Sequence, residues 1–150
     1  MPESAPTGER VFRGIGVSPG VCRGKILVLA GPLDNRIPMQ HLGEEQLFNE
    51  MQRLEQALVT TRRQIIEVQR QVSQSLGPEE ASIFDAHLLV LEDPTLTEEV
   101  SRKIMTDKVT AEYAFQQVAD KYIRGLTAID DEYLRERATD VRDVTTRTLN

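Results

Sequence analysis

The sequence predicts a mainly α-helical domain, two antiparallel helical hairpins preceded by a short β segment. Three observations predict it. An apolar seam at alternating spacings of four and three runs from Leu47 to Val72. Glycine, proline and capping residues divide the chain after residue 43 into successive helical stretches. Aromatic residues make up only 5% and tryptophan is absent, which favours packed aliphatic helices over a β-sandwich.

The first predicted helix spans Gly43 to Ser75. Its seam is Leu47, Met51, Leu54, Leu58, Thr61, Ile65, Val68 and Val72, and a helix of this length is roughly 48 Å long and needs a long apolar partner. Leu76-Gly77-Pro78 stops it, with glycine closing one helix and proline opening the next. The second helix is expected from Pro78 to Leu91. Asp93-Pro94 breaks it and caps a short third helix carrying Leu96, Val100 and Ile104. Thr110 reads as the N-cap of a fourth, with the stripe Ala111, Phe115, Val118, Tyr122 and Leu126. Asp130 and Asp131 open a fifth, whose inward residues are Leu134, Ala138, Val141 and Thr145. Short connections imply antiparallel neighbours, hence the two hairpins.

The region before these helices has a different character. Val11-Phe12-Arg13 and Lys25 to Leu29 read as short strands around a stretch rich in glycine, with a Ser18-Pro19-Gly20 turn. Two strands alone are not stable, so they belong to a larger sheet or pack on the helices. The N-terminal residues 1–13 and the last residues 145–150 are expected to be mobile, as termini without partners are.

Charge and composition exclude several function classes. The net charge is −6 and the pI about 5.0, which disfavours nucleic acid and anionic membrane surfaces and suits a basic protein partner. Cys22 is the only cysteine, so no internal disulfide forms. No apolar run is long enough to span a bilayer, and the N-terminus lacks the apolar core of a signal peptide, so the expected location is cytoplasmic.

No catalytic constellation is legible. The chain has two histidines. His41 lies in a polar stretch and reads as a solvated surface residue. Neither His41 nor His87 has a glutamate three positions earlier, as a di-iron site needs; those positions hold Pro38 and Phe84. One cysteine and two distant histidines cannot make a zinc site. Gly14-Ile15-Gly16-Val17-Ser18-Pro19-Gly20 matches the dinucleotide fingerprint only loosely, because Pro19 stands where its third glycine is required.

The stretch around His87 is more informative. Ile83 to Leu91 is too apolar for a helix with one buried side. Either it is buried on two sides, with His87 a satisfied polar residue, or part of it is an exposed partner site. Between Gly77 and Val100 stand Glu79, Glu80, Asp85, Glu92, Asp93, Glu98 and Glu99 with no lysine or arginine. Such a run is ordinarily a solvated face; around apolar positions it also suits docking of a basic protein.

Three motifs together resemble a known family. They are Gly14 to Gly20 followed by Gly24 and an apolar strand, Ile83 to Pro94 (Ile-Phe-Asp-Ala-His-Leu-Leu-Val-Leu-Glu-Asp-Pro), and Asp130 to Asp143. In this order and at these separations they resemble Enzyme I of the phosphoenolpyruvate-dependent sugar phosphotransferase system. The resemblance covers nearly everything after the first 13 residues.

That resemblance implies an enzyme that takes phosphate from phosphoenolpyruvate onto a histidine and passes it to the small carrier HPr. It implies an α/β phosphohistidine subdomain with a helical HPr-binding subdomain inserted. Residues 14–33 would be the first strands of an incomplete α/β subdomain, 34–145 the helical subdomain, and 146–150 the start of the return linker, behind a disordered tail at 1–13. The implied HPr contacts are Glu79, Ser82, His87, Leu89 and Val90; the alternative for each is packing within its hairpin.

The family's Gly-Gly-x-Thr-Ser-His-like segment, which carries the phosphorylated histidine, has no counterpart in these residues. Nor does the barrel that binds phosphoenolpyruvate and magnesium. The resemblance therefore implies a front part of a longer enzyme, inactive alone, with no cofactor of its own. Magnesium and homodimerisation belong to the whole enzyme. Two other readings remain: the same module in a nitrogen-type or fused multiphosphoryl phosphotransferase, or a non-enzymatic helical scaffold that oligomerises through the Leu47–Val72 seam.

Overall fold

The structure is a computed structural model that describes Arg13, Ile15, Gly16, residues 19–25 and residues 37–150. The chain divides into two units, Met1–Asp34 and Asn35–Asn150. In the first, the described residues form no helix or strand. Gly20 has φ 121°, in the region that favours glycine, where the Ser-Pro-Gly turn was expected. The expected strands lie almost wholly outside the described residues.

The described residues of the second unit form six helices: α1 Glu44–Ser75, α2 Pro78–Ala81, α3 Ile83–Leu91, α4 Pro94–Asp107, α5 Ala111–Thr127 and α6 Glu132–Leu149. The mainly α expectation holds. α1 starts where the Gln46 side chain accepts from the Gly43 backbone N–H at 2.9 Å. It stops at Gly77, whose φ of 127° is unfavourable for any other residue. Asp93, Thr110 and Asp131 accept from Thr95, Tyr113 and Leu134 backbone N–H groups, capping α4, α5 and α6 as their sequence positions predict.

Two boundaries differ from expectation. The single helix expected from Pro78 to Leu91 is divided at Ser82, whose hydroxyl donates to the Glu79 carbonyl at 2.6 Å. A serine that bonds backbone locally competes with helix continuation. At the other end, α6 runs on to Leu149, so residues 146–149 are helix rather than linker. Nor does 145–150 behave as a loose end: Thr145 is buried and Leu149 packs on the core.

The seam of α1 faces inward, and α1 packs against all five other helices. Two apolar clusters divide its length. Leu47 and Leu54 pack with Leu96, Val100, Ile104, Val109, Ala111, Phe115 and Val118 from α4, α5 and their junction. Further along, Ile65 packs with Leu91 and Val144, flanked by Leu58, Phe84, Leu88 and Val90. Each fully buried large side chain of this kind contributes about 1.5–3 kcal/mol. From Leu47 to Ile65 the seam is thus covered from within the chain, which leaves an oligomerising scaffold little of that stretch, while Val68 and Val72 are half-buried.

Polar contacts tie the first cluster's end together. Leu42 N–H donates to the Lys108 carbonyl at 2.8 Å, with Lys108 held at φ 51° as the C-cap of α4. His41 is exposed and pairs through its backbone with Val109. Glu50 is the buried carboxylate of α1. It accepts from the Ala111 backbone N–H at the positive end of α5 at 2.8 Å and from Arg53 of its own helix at 2.6 Å, so both oxygens have donors. Arg53 also reaches Glu112.

Two predictions follow from these ties. Replacing Glu50→Leu strands the Ala111 N–H and costs about 2 kcal/mol of stability; Glu50→Gln keeps one acceptor and loses less, as chemical denaturation will show. The second concerns Glu99, whose carboxyl is held below the ordinary value of 4.5, chiefly by its hydrogen bond to Lys121. Lowering the folded value means that this tie between α4 and α5 adds stability above the ordinary carboxylate range and loses it as pH falls through the lowered value. A gap in melting temperature between wild type and Glu99→Gln is expected at neutral pH, and it narrows as pH falls below the ordinary carboxylate range and through the lowered value.

Candidate docking surface and its polar backing

The segment from Gly77 to Asp93 presents two different faces. On the outer face of α3, Ser82, Asp85, Leu89 and Glu92 follow one another at helical spacing and all are exposed. Leu89 is 64% exposed, an apolar side chain set among acids and a hydroxyl. α1 fixes the edge of this stripe: Gln69 donates to Asp85 at 2.7 Å and Arg62 to Glu92 at 2.7 Å. Exposed pairs of this type add little stability but hold carboxylates in defined places.

Several acids of the segment already have structural roles. Asp93 caps α4, Glu99 binds Lys121, and Asp85 and Glu92 bind α1. Among the described residues, Glu79, Glu80 and Glu98 form no salt bridge and are exposed. They remain as exposed acids of the same segment, free to attract a basic partner at long range.

The inner face points to α6. His87 has only 12% of its side chain exposed, and its Nε2 lies 3.6 Å from Asp140 Oδ1. That distance is too long for a hydrogen bond, and Nε2 is buried without a partner. The ring meets Phe84 edge-on, centroids 5.6 Å apart. Asp140 is itself 3.7 Å from Arg137, whose guanidinium lies over the Tyr133 ring and donates to its hydroxyl. Tyr133 accepting this bond is the main reason the Arg137 pKa is raised.

The five residues expected to form one contact surface are therefore divided. Glu79, Ser82 and Leu89 are exposed; His87 and Val90 are not on that face. Val90 is half-buried and packs against both apolar clusters. The reason is the helical pitch: Leu89 and Val90 differ by one residue and so by about 100° around the axis. Sequence reasoning did not connect Asp140 and Arg137 to His87, or Arg62 and Gln69 to the acidic stripe. Each link joins helices distant in sequence, and no spacing rule reports it.

Among the described residues no group of three or more His, Cys, Asp or Glu is placed to hold a metal ion. The depression at Glu132, Arg135, Glu136 and Thr139 is lined by α6 alone and encloses nothing. No described helix is long and apolar enough to cross a membrane.

The helical fold has counterparts among known proteins. The family model described as "PEP-utilising enzyme, N-terminal" matches residues 13–137. A phosphoenolpyruvate-protein phosphotransferase of Bacillus subtilis is 35% identical over 91% of this chain and 23% of its own length. That of Geobacillus stearothermophilus is 37% identical over 94% of this chain and 24% of its own. A solution NMR structure of Enzyme I superposes with a TM-score of 0.72 at 34% identity, covering 75% of this chain and 46% of that one. The chain thus spans about a quarter of the length of these curated relatives. Matched over most of its residues by the family pattern and sharing the fold of a solved relative, the chain belongs to the family of PEP-utilising enzymes, as their N-terminal part.

Proposed function

We propose that this chain supplies the partner-docking helices of a phosphoenolpyruvate-protein phosphotransferase. In this reading the whole enzyme takes phosphate from phosphoenolpyruvate onto a histidine outside these 150 residues and delivers it to HPr in the cytoplasm. Magnesium and the dimer contact also belong to its other parts. The observation that carries the reading is the exposed Leu89 within the Ser82–Asp85–Leu89–Glu92 stripe, in a segment whose Glu79, Glu80 and Glu98 are exposed and form no salt bridge among the described residues.

An exposed apolar side chain in an acid-rich segment gives a partner both a desolvated contact and an electrostatic guide. HPr would meet it with an apolar spot flanked by basic residues. In this reading neither histidine is the phosphoryl acceptor: His87 Nε2 is buried, and His41 is exposed where its backbone pairs with Val109. The names of the relatives and the matched family support the whole-enzyme activity; a nitrogen-type or fused phosphotransferase would use the same face.

The test is a titration of isotope-labelled protein with HPr, comparing two adjacent substitutions. Leu89→Asp is expected to leave the fold intact and weaken docking about tenfold or more. Val90→Asp puts a charge between two apolar clusters and is expected to cost about 3 kcal/mol of stability, read by thermal melting. Unchanged affinity in Leu89→Asp would remove the outer face of α3 from the docking surface.

A further inference from the structure

We propose that His87 is a positioning residue, which sets the pose of the Leu89 stripe by bonding Asp140 when a partner is docked. This rests on the docking reading above.

The argument begins with how weakly α3 is held on its own. It has nine residues, only Leu91 is fully buried, and no side chain caps its N-terminus. Helices this short do not persist without tertiary contacts. The break at Ser82 removes the support that a continuous α2–α3 helix would give. The position of α3 is therefore decided by what grips it from either side.

Those grips are unequal. At its C-terminal end, Leu88, Val90 and Leu91 pack against the cluster of Ile65 and Val144. On the α1 side, Gln69 donates to Asp85 at 2.7 Å, a completed bond. On the α6 side, His87 Nε2 faces Asp140 at 3.6 Å and the bond is not made. A neutral imidazole has one N–H to donate, and a carboxylate accepts it. Leaving a buried nitrogen without a partner is unfavourable, so the free structure holds an unmet bond at the back of the docking helix.

A shift of α3 toward α6 by a fraction of an ångström closes that bond. Leu89 is two residues from His87 on the same short rigid helix, so it moves with it. A partner pressing on the outer face drives the shift in the direction that completes the bond. Docking and the His87–Asp140 bond then support each other, as linked equilibria must. Arg137, itself held over the Tyr133 ring, lies 3.7 Å from the other Asp140 oxygen and favours the carboxylate staying where it is.

The test uses the whole chain, HPr, and the variants His87→Leu, His87→Gln, Asp140→Leu and the double variant His87→Leu/Asp140→Leu. His87→Leu preserves bulk but cannot donate; His87→Gln restores an N–H that can reach Asp140. The expected result is a loss of HPr affinity of about fivefold or more in His87→Leu, recovered in His87→Gln, with no further loss in the double variant. In wild type, the imidazole N–H resonance of His87 should become protected from solvent exchange when HPr is added. The melting temperature of each variant separates loss of fold from loss of pose. Normal docking by a folded His87→Leu, or additive losses in the double variant, would overturn the inference while leaving the docking face intact. Docking that is insensitive to Leu89→Asp, or absent in wild type, would overturn both readings.

Discussion

Everything in the helical unit depends on covering one long seam. α1 has 32 residues and carries apolar side chains along its whole length. No single neighbour is that long. The chain resolves this by laying α4 and α5 against the first half and α3 and α6 against the second. The two clusters are consequences of that division, and so is the contact of α1 with every other helix. Had the seam remained open, a second molecule would have been its natural cover.

The two halves of the seam are not equally firm. Around Glu50 the polar groups are satisfied: its two oxygens have donors, Thr110 caps α5, and Lys108 closes α4 against Leu42. Around His87 they are not, since Nε2 is buried without a hydrogen bond. A satisfied polar network rigidifies, while an incomplete one leaves neighbouring arrangements close in energy. The exposed stripe of α3 lies on the less constrained half. This is physically sensible for a surface that must adjust to a partner, because low local stability is where binding segments are ordinarily found.

The acidic segment illustrates why charge counts alone mislead. Of the acids between Gly77 and Val100, Asp85, Glu92, Asp93 and Glu99 are occupied in holding helices together. Glu79, Glu80 and Glu98 remain for long-range attraction. Sequence singles out Asp93 as a cap and leaves the others as one acidic run; the structure divides that run by what each carboxylate touches.

What the sequence by itself determined is what local chemistry controls. Asp93, Thr110 and Asp131 mark helix starts, Gly77 and Pro78 mark a stop, and the seam from Leu47 to Val72 marks the buried side of α1, because caps and periodicity act within a few residues. The family motifs were legible for the same reason. Tertiary structure alone decided which way α3 turns. Its composition is apolar on nearly every side, so periodicity could not choose between Leu89 and Val90 as the outward residue. That choice was made by Gln69 and Arg62 on one flank and by Val144 and Asp140 on the other. Pairings between distant helices follow from packing geometry, which no local pattern encodes.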